Sequence, residues 1–247
     1  VEDPEWFAKS HAEIQRWFNE GLVDGLRVDH PDGLRDPGRY LEDLAGLTKG
    51  SYVLVEKILS ITDGESGRLG LERLPTTWPT AGTTGYEAMA LIDRVLVDPD
   101  GEAPLTALED RLRGRPTDWP QLVHDSKLTV AEGLLNSETR RIAREVLDML
   151  EPAARPDPDA LADAIAELLA DLSVYRSYLP EGREQLERAF DAARQRRPEL
   201  AAVLDLLAPI LADGASAPAQ RFQQTSGMVM AKGVEDCAFY RWARLSS

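Results

Sequence analysis

Two short apolar runs, each closed by a carboxylate, constrain the fold of this chain more than any other feature. Leu26-Arg27-Val28-Asp29 alternates apolar and charged side chains, the pattern of a short strand. Tyr52-Val53-Leu54-Val55-Glu56 is apolar nearly throughout, as a strand buried in a parallel sheet is. Between them, Asp36-Pro37 starts a helix that runs through Tyr40, Leu41 and Leu44 to about Leu47, with Pro37 suited to its first position. Ahead of both, Trp6, Phe7, Ile14, Trp17 and Phe18 predict an amphipathic helix over 4–20, stopped at Gly21. The order helix, strand, helix, strand leaves a crossover long enough for a right-handed βαβ unit. In parallel α/β sheets and barrels, reactive groups gather at the C-terminal ends of strands. The pattern therefore puts Asp29 and Glu56 on one rim.

The rest of the chain divides by texture. Residues 61–79 read as a loop, with Gly64, Gly67, Gly70, Pro75 and Pro79. Thr80-Ala81-Gly82-Thr83-Thr84-Gly85-Tyr86 is built of small residues that let backbone approach a ligand. The stretch 99–219 is rich in Ala, Leu, Glu and Arg and reads as all helical. Helices are expected near 102–113, 118–150, 158–172, 183–196 and 198–213, punctuated by Asp157-Pro158 and Arg197-Pro198. Glycines and aromatics return a mixed texture from 220 to 247. The domain reading is thus 1–98, 99–219 and 220–247.

Charge narrows the function classes. A net charge of -15 repels phosphate backbones and anionic lipid, so neither nucleic acid nor membrane is expected as a partner. A neutral substrate such as a sugar is indifferent to that sign. The one cysteine, Cys237, cannot form an internal disulfide, which fits a reducing, cytoplasmic compartment. No Cys/His set has zinc spacing and no phosphate-binding glycine loop is present, so no metal or cofactor is expected.

Cleaving a glycosidic bond with retention takes two carboxyl groups, one to attack the anomeric carbon and one to serve as acid and then base. Asp29 and Glu56 suit these roles if neighbouring strands hold them. Arg27, two residues from Asp29 on the same strand face, would keep that carboxylate ionised. Glu56 follows an apolar run whose partial shielding from water suits the acid of the pair.

The residues also carry a resemblance. Gly25-Leu26-Arg27-Val28-Asp29-His30-Pro31-Asp32-Gly33-Leu34 resembles the strand-four motif of the α-amylase superfamily, and Val55-Glu56-Lys57-Ile58-Leu59 resembles its strand-five motif. Followed in order by LPTTWPTAGTTGYE (74–87) and MAKGVEDCAFYRW (230–242), these runs resemble the maltooligosyltrehalose synthase family; ordinary amylases lack the last two. The likeness covers 1 to about 95 and 219–245, while the helical middle resembles that family's insertion only in composition and placement. It implies an α/β fold, a partial (β/α)8 TIM barrel around strands four and five with a large all-helical insertion. It implies an isomerase of trehalose biosynthesis that moves the reducing-end glucose of a maltooligosaccharide from an α-1,4 to an α,α-1,1 link. Asp29 would be its nucleophile and Glu56 its acid/base.

By the same resemblance, Arg27, His30, Asp32, Lys57, Tyr86, Lys232, Phe239 and Tyr240 are the substrate-binding candidates, with Trp78 and Trp242 behind them. Glu235 and Asp236 are read as structural acids. The α-1,4-glucan substrate is the expected partner, with a trehalose-releasing hydrolase as a functional companion. Cys237 stands where the family commonly has Thr, and Met228 where it commonly has Pro. His124-Asp125 imitates the superfamily's third-carboxylate motif but lies inside a helical pattern and ahead of AKGVED, so it is read as a solvated helix acid. The opening Val1-Glu2-Asp3-Pro4 lacks an initiator Met, so an internal fragment is expected. Its barrel would be unclosed, its third Asp outside the chain, and its activity absent in isolation. A glucan hydrolase and a non-enzymatic helical module remain the alternatives.

Overall fold

The computed structural model describes residues 1–63 and 69–242 of the chain, which form two compact units, Val1–Ala88 and Met89–Ser247.

In the first unit, helix α1 (Pro4–Asn19) starts where the Asp3 carboxylate accepts from the amides of Glu5 and Trp6. Its apolar stripe is only half buried, and His11 is the one residue of α1 fully enclosed. The His11 ring stacks on Phe7, and its Nε2 lies 2.8 Å from the Tyr40 hydroxyl on helix α2 (Pro37–Thr48). Strands β1 (Gly25–Val28) and β2 (Tyr52–Val55) flank α2 in sequence and pair in parallel, Gly25 opposite Tyr52 and Val28 opposite Val55. Gly25 is demanded by this pairing, since a Cβ there would sit 2.7 Å from the Tyr52 carbonyl oxygen.

The expected loop over 61–79 contains an antiparallel hairpin instead, β3 (Ile61–Asp63) with β4 (Leu69–Leu71). β-Branched Ile61 and Thr62 favour extended backbone, and the glycines had masked that signal. Gly64 and Gly67 lie outside the described residues. Two-residue strand β5 (Gly82–Thr83) then joins the far edge of β2, giving a parallel sheet of order β1-β2-β5. Helix α3 (Tyr86–Leu96) follows.

The second unit is helical. Helices α4 (Glu102–Arg113), α5 (Trp119–Glu132), α6 (Asn136–Met149), α7 (Pro158–Asp171), α8 (Arg183–Arg196), α9 (Ala201–Ala212) and α10 (Ala217–Met230) follow in order. Asp118, Asp157 and Ser216 cap α5, α7 and α10 through their side chains. The single helix expected over 118–150 breaks at Gly133, whose backbone leaves the helical region (φ -105°, ψ -92°). α7 is enclosed along most of its length. Leu161, Ile165, Leu168 and Leu169 meet Ile142, Leu204, Leu207 and Phe222 in one core. At about 25 cal/mol per Å2 of apolar surface, such burial is the main source of this unit's stability.

The mixed texture after 220 brings no strand among the described residues. α10 runs into a π-helical stretch, Ala231–Ala238, and a last turn, α11 (Phe239–Arg241). Gly233 permits a close approach rather than a turn: a Cβ there would lie 2.7 Å from the Lys127 Cα on α5. Among the described residues, no single helix is long and apolar enough to cross a membrane.

Candidate functional site

Asp29 and Glu56 are the residues immediately after β1 and β2, so parallel pairing carries both to the same end of the sheet. The Glu56 amide donates to the Val28 carbonyl at 2.8 Å, which continues the ladder one step and fixes the level of the two acids. One guanidinium spans them. Arg27 Nη1 lies 2.6 Å from Asp29 Oδ1, and Nη2 lies 3.2 Å from Glu56 Oε1. The Arg27 hydrogen bond is the main cause that holds the Asp29 carboxyl below the usual carboxylate range.

Glu56 is held by two further donors. The Tyr86 hydroxyl donates to Oε1 at 3.2 Å, and the His30 amide donates to Oε2 at 3.1 Å. His30 has left-handed backbone (φ 49°), which turns the chain into the 3-10 turn Pro31–Gly33. Tyr86 opens α3 just past β5, so three successive parallel strands each deliver a group to one end of the sheet. Asp29 keeps 71% of its side chain exposed against 26% for Glu56, so the arrangement pairs an open carboxylate with a sheltered one.

A second ionic cluster lies in the same unit. Lys57 and Asp32 are only 2% and 3% exposed. Lys57 Nζ sits 3.0 Å from Asp32 Oδ2 and 3.6 Å from Glu72 Oε1. Burial pushes the Glu72 carboxyl upward, with Lys57 opposing. The readings of Asp32 and Lys57 as groups that meet sugar hydroxyls are thus set against a geometry in which they meet each other. Glu72 was missed in the sequence. It lies 15 residues from Lys57 across the hairpin, a separation that no periodic pattern reports.

The structure therefore joins Arg27, Asp29, His30, Glu56 and Tyr86 in one site, and Asp32 and Lys57 in another. Lys232, Phe239 and Tyr240 belong to the helical unit. Lys232 pairs with Asp236 at 2.6 Å, Phe239 stacks on Trp119 at 5.6 Å between ring centroids, and Tyr240 is 84% exposed. Trp242 also lies against Trp119, while Trp78 is buried in the first unit. Glu235 accepts a short hydrogen bond from the Tyr175 hydroxyl.

The expectation of a solvated acid at 124–125 holds for Asp125 but not for its neighbour. His124 is buried, with Nε2 at 2.9 Å from Glu167 and 3.7 Å from Asp171. The donor types of these three would suit a cation, and their ligand atoms lie within 4.8 Å of one another. Arg196 already approaches both carboxylates at 3.5 Å and Arg197 approaches Glu167 at 3.7 Å, so guanidinium groups supply the positive charge there.

No protein-family model matches the chain. Across all 247 residues it is 43% identical to a Mycobacterium tuberculosis protein that bears the name maltooligosyl trehalose synthase. Among solved structures, maltooligosyltrehalose synthase from Arthrobacter ramosus superposes over the whole chain with a TM-score of 0.87 and 54% identity. This chain is similar, along its whole length, to one segment of the maltooligosyltrehalose synthases. It spans 30% of the length of both relatives. A glycosyltrehalose synthase structure covers 99% of the chain at 28% identity with a TM-score of 0.71. The likeness includes the helical middle, where the sequence motifs had been silent.

Proposed function

We propose that the protein carrying this segment converts the reducing-end α-1,4 link of a maltooligosaccharide to an α,α-1,1 link, with Asp29 as nucleophile and Glu56 as acid/base. The carrying observation is the single Arg27 guanidinium that bridges the two carboxylates at one end of a parallel sheet. In this reading β1 and β2 are two strands of a (β/α)8 barrel, and the helices over 99–219 are an insertion in it.

The order of events follows from the chemistry. Asp29, kept ionised by Arg27, attacks the anomeric carbon of the penultimate glucose. Glu56 gives its proton to the departing glycosidic oxygen, and a covalent glycosyl ester forms on Asp29. The released glucose stays bound, and its own anomeric hydroxyl attacks the ester while Glu56 takes that proton. The α,α-1,1 link forms and Asp29 is free again. Retaining the glucose against water is a problem of proximity and of a closed site. In the first unit, His30 and Tyr86, the groups that meet Glu56, are assigned to hold it. The reading includes a cytoplasmic setting, consistent with the unpaired Cys237. It also includes a hydrolase that releases trehalose from the product.

The test is the full-length protein with maltopentaose, following reducing ends and free glucose together. Reducing ends should fall with little glucose formed. Asp29→Asn and Glu56→Gln should each lower the rate by on the order of 10⁴-fold or more. Rising reducing ends with glucose or short dextrins would make the protein a glucan hydrolase. Undiminished turnover in both variants would remove the two-carboxylate mechanism.

A further inference from the structure

We propose that Lys57, Asp32 and Glu72 are positioning residues, a buried ionic tie that sets the carboxylate of Glu56 against the His30 amide. The proposal rests on the reading of Glu56 as acid/base. Lys57 is the residue next to Glu56, and Asp32 is two residues beyond His30. The salt bridge between them, at 3.0 Å, therefore fastens the loop after β2 to the loop after β1, beside the point where the His30 amide meets Glu56 Oε2.

Glu72 extends the tie to the hairpin. Its Oε1 lies 3.6 Å from the same ammonium, and its Oε2 accepts from the Ser60 amide at 3.0 Å. The Glu72 amide also donates to the Ser60 carbonyl at 2.9 Å. Both ends of the stretch that begins after Glu56 are thereby anchored to one buried cation. With Lys57 and Asp32 almost wholly enclosed, the tie is shielded from the water and salt that weaken exposed pairs. Arg27 and Tyr86 hold Oε1 from β1 and α3, so the tie acts on the other oxygen, by keeping the His30 loop against Oε2. Misplacement of a reacting group by about 1 Å costs a rate factor of about 10².

Lys57→Met alone strands two buried carboxylates and risks the fold. The informative variant is therefore Lys57→Met/Asp32→Asn/Glu72→Gln, close in shape and free of charge, made in the full-length protein. Two readouts are taken. The first is the His30 backbone amide proton by NMR with 15N-histidine labelling, identified by its loss in His30→Gln. The second is kcat and KM on maltopentaose, with Asp29→Asn alongside. The expected result is an upfield shift of the His30 amide proton, a kcat lower by about 10²-fold and a KM within about threefold of the parent. An unmoved amide would overturn the tie, whatever the rate. So would a moved amide with an unchanged kcat, or a raised KM at constant kcat, which would mark direct sugar binding. Activity that persists in Asp29→Asn would defeat the two-carboxylate reading instead, and the amide would still decide whether the tie exists.

Discussion

Each unit buries one lysine, and the two are treated differently. Lys57 lies between two carboxylates at the base of two loops. Lys127, on α5, donates to the Leu172 carbonyl at the end of α7 at 2.6 Å, with Asp171 as its nearby opposite charge. Burial draws the Lys127 ammonium down to about 7, and Asp171 only partly resists. A buried cation with ion-pair geometry can fix where loops go. A buried cation whose direct partner is a carbonyl closes a helix end and carries a desolvation cost that depends on pH.

The same contrast holds for arginine. Arg27 spans Asp29 and Glu56 in a half-exposed site, whereas Arg196 and Arg197 converge on Glu167, which is almost wholly enclosed. The first arrangement leaves Asp29 open to solvent, and the second uses its carboxylates to hold α5, α7 and α8 together.

Arg27→Gln should lower kcat/KM of the full-length protein by about 10²-fold, the scale of losing a single preorganised charge stabiliser. Arg27 lowers the Asp29 pKa, so its removal should move the acidic limb of the pH–rate profile to higher pH. A limb that stays in place would detach Arg27 from the ionisation of Asp29.

Lys127→Met probes the helical side. The folded pKa of about 7 lies below the ordinary lysine value of 10.5, so between them the unfolded chain binds more protons. Wild-type stability should therefore rise with pH across that window, with the desolvation cost fully present below pH 7. The methionine variant removes this dependence. Its stability relative to wild type should be better at pH 6 than at pH 10 by on the order of 2–4 kcal/mol, read from denaturant unfolding at both pH values. Equal differences at the two pH values would mean that Lys127 keeps its charge at little cost.

Two glycines test the two units at smaller scale. Gly233→Ala would press a methyl group onto the backbone of Lys127 and should destabilise by about 1–3 kcal/mol. Gly46 is at an exposed position of α2 with nothing within 4 Å of an added Cβ. Gly46→Ala should stabilise by about 0.5–1 kcal/mol. Thermal unfolding of both variants checks these signs, and a stabilised Gly233→Ala would show that the α5 contact is slack.

Local regularities of this chain are legible before any folding. Strand alternation at 25–28, the apolar run at 52–55, proline and aspartate caps, and helical spacing at 102–113, 158–171 and 183–196 were all readable, because each depends on neighbours a few residues apart. Asp29 and Glu56 were legible for the same reason: each simply follows a strand. The two-residue strand β5 carries too little pattern to announce itself, and Gly133 breaks a helix through backbone geometry that its apolar neighbours conceal.

Contacts between distant residues have no such signature. Asp32 and Lys57 were read from the resemblance as substrate-binding candidates; charged residues are rarely buried unless paired, and their pairing, 25 residues apart with Glu72 as third member, exists only once β1, β2 and the hairpin assemble. His124 likewise became a core residue only when α7 brought Glu167, 43 residues away, against it. Burial energy and charge pairing act between residues that folding brings together, and a linear pattern records them only when they are also near in sequence.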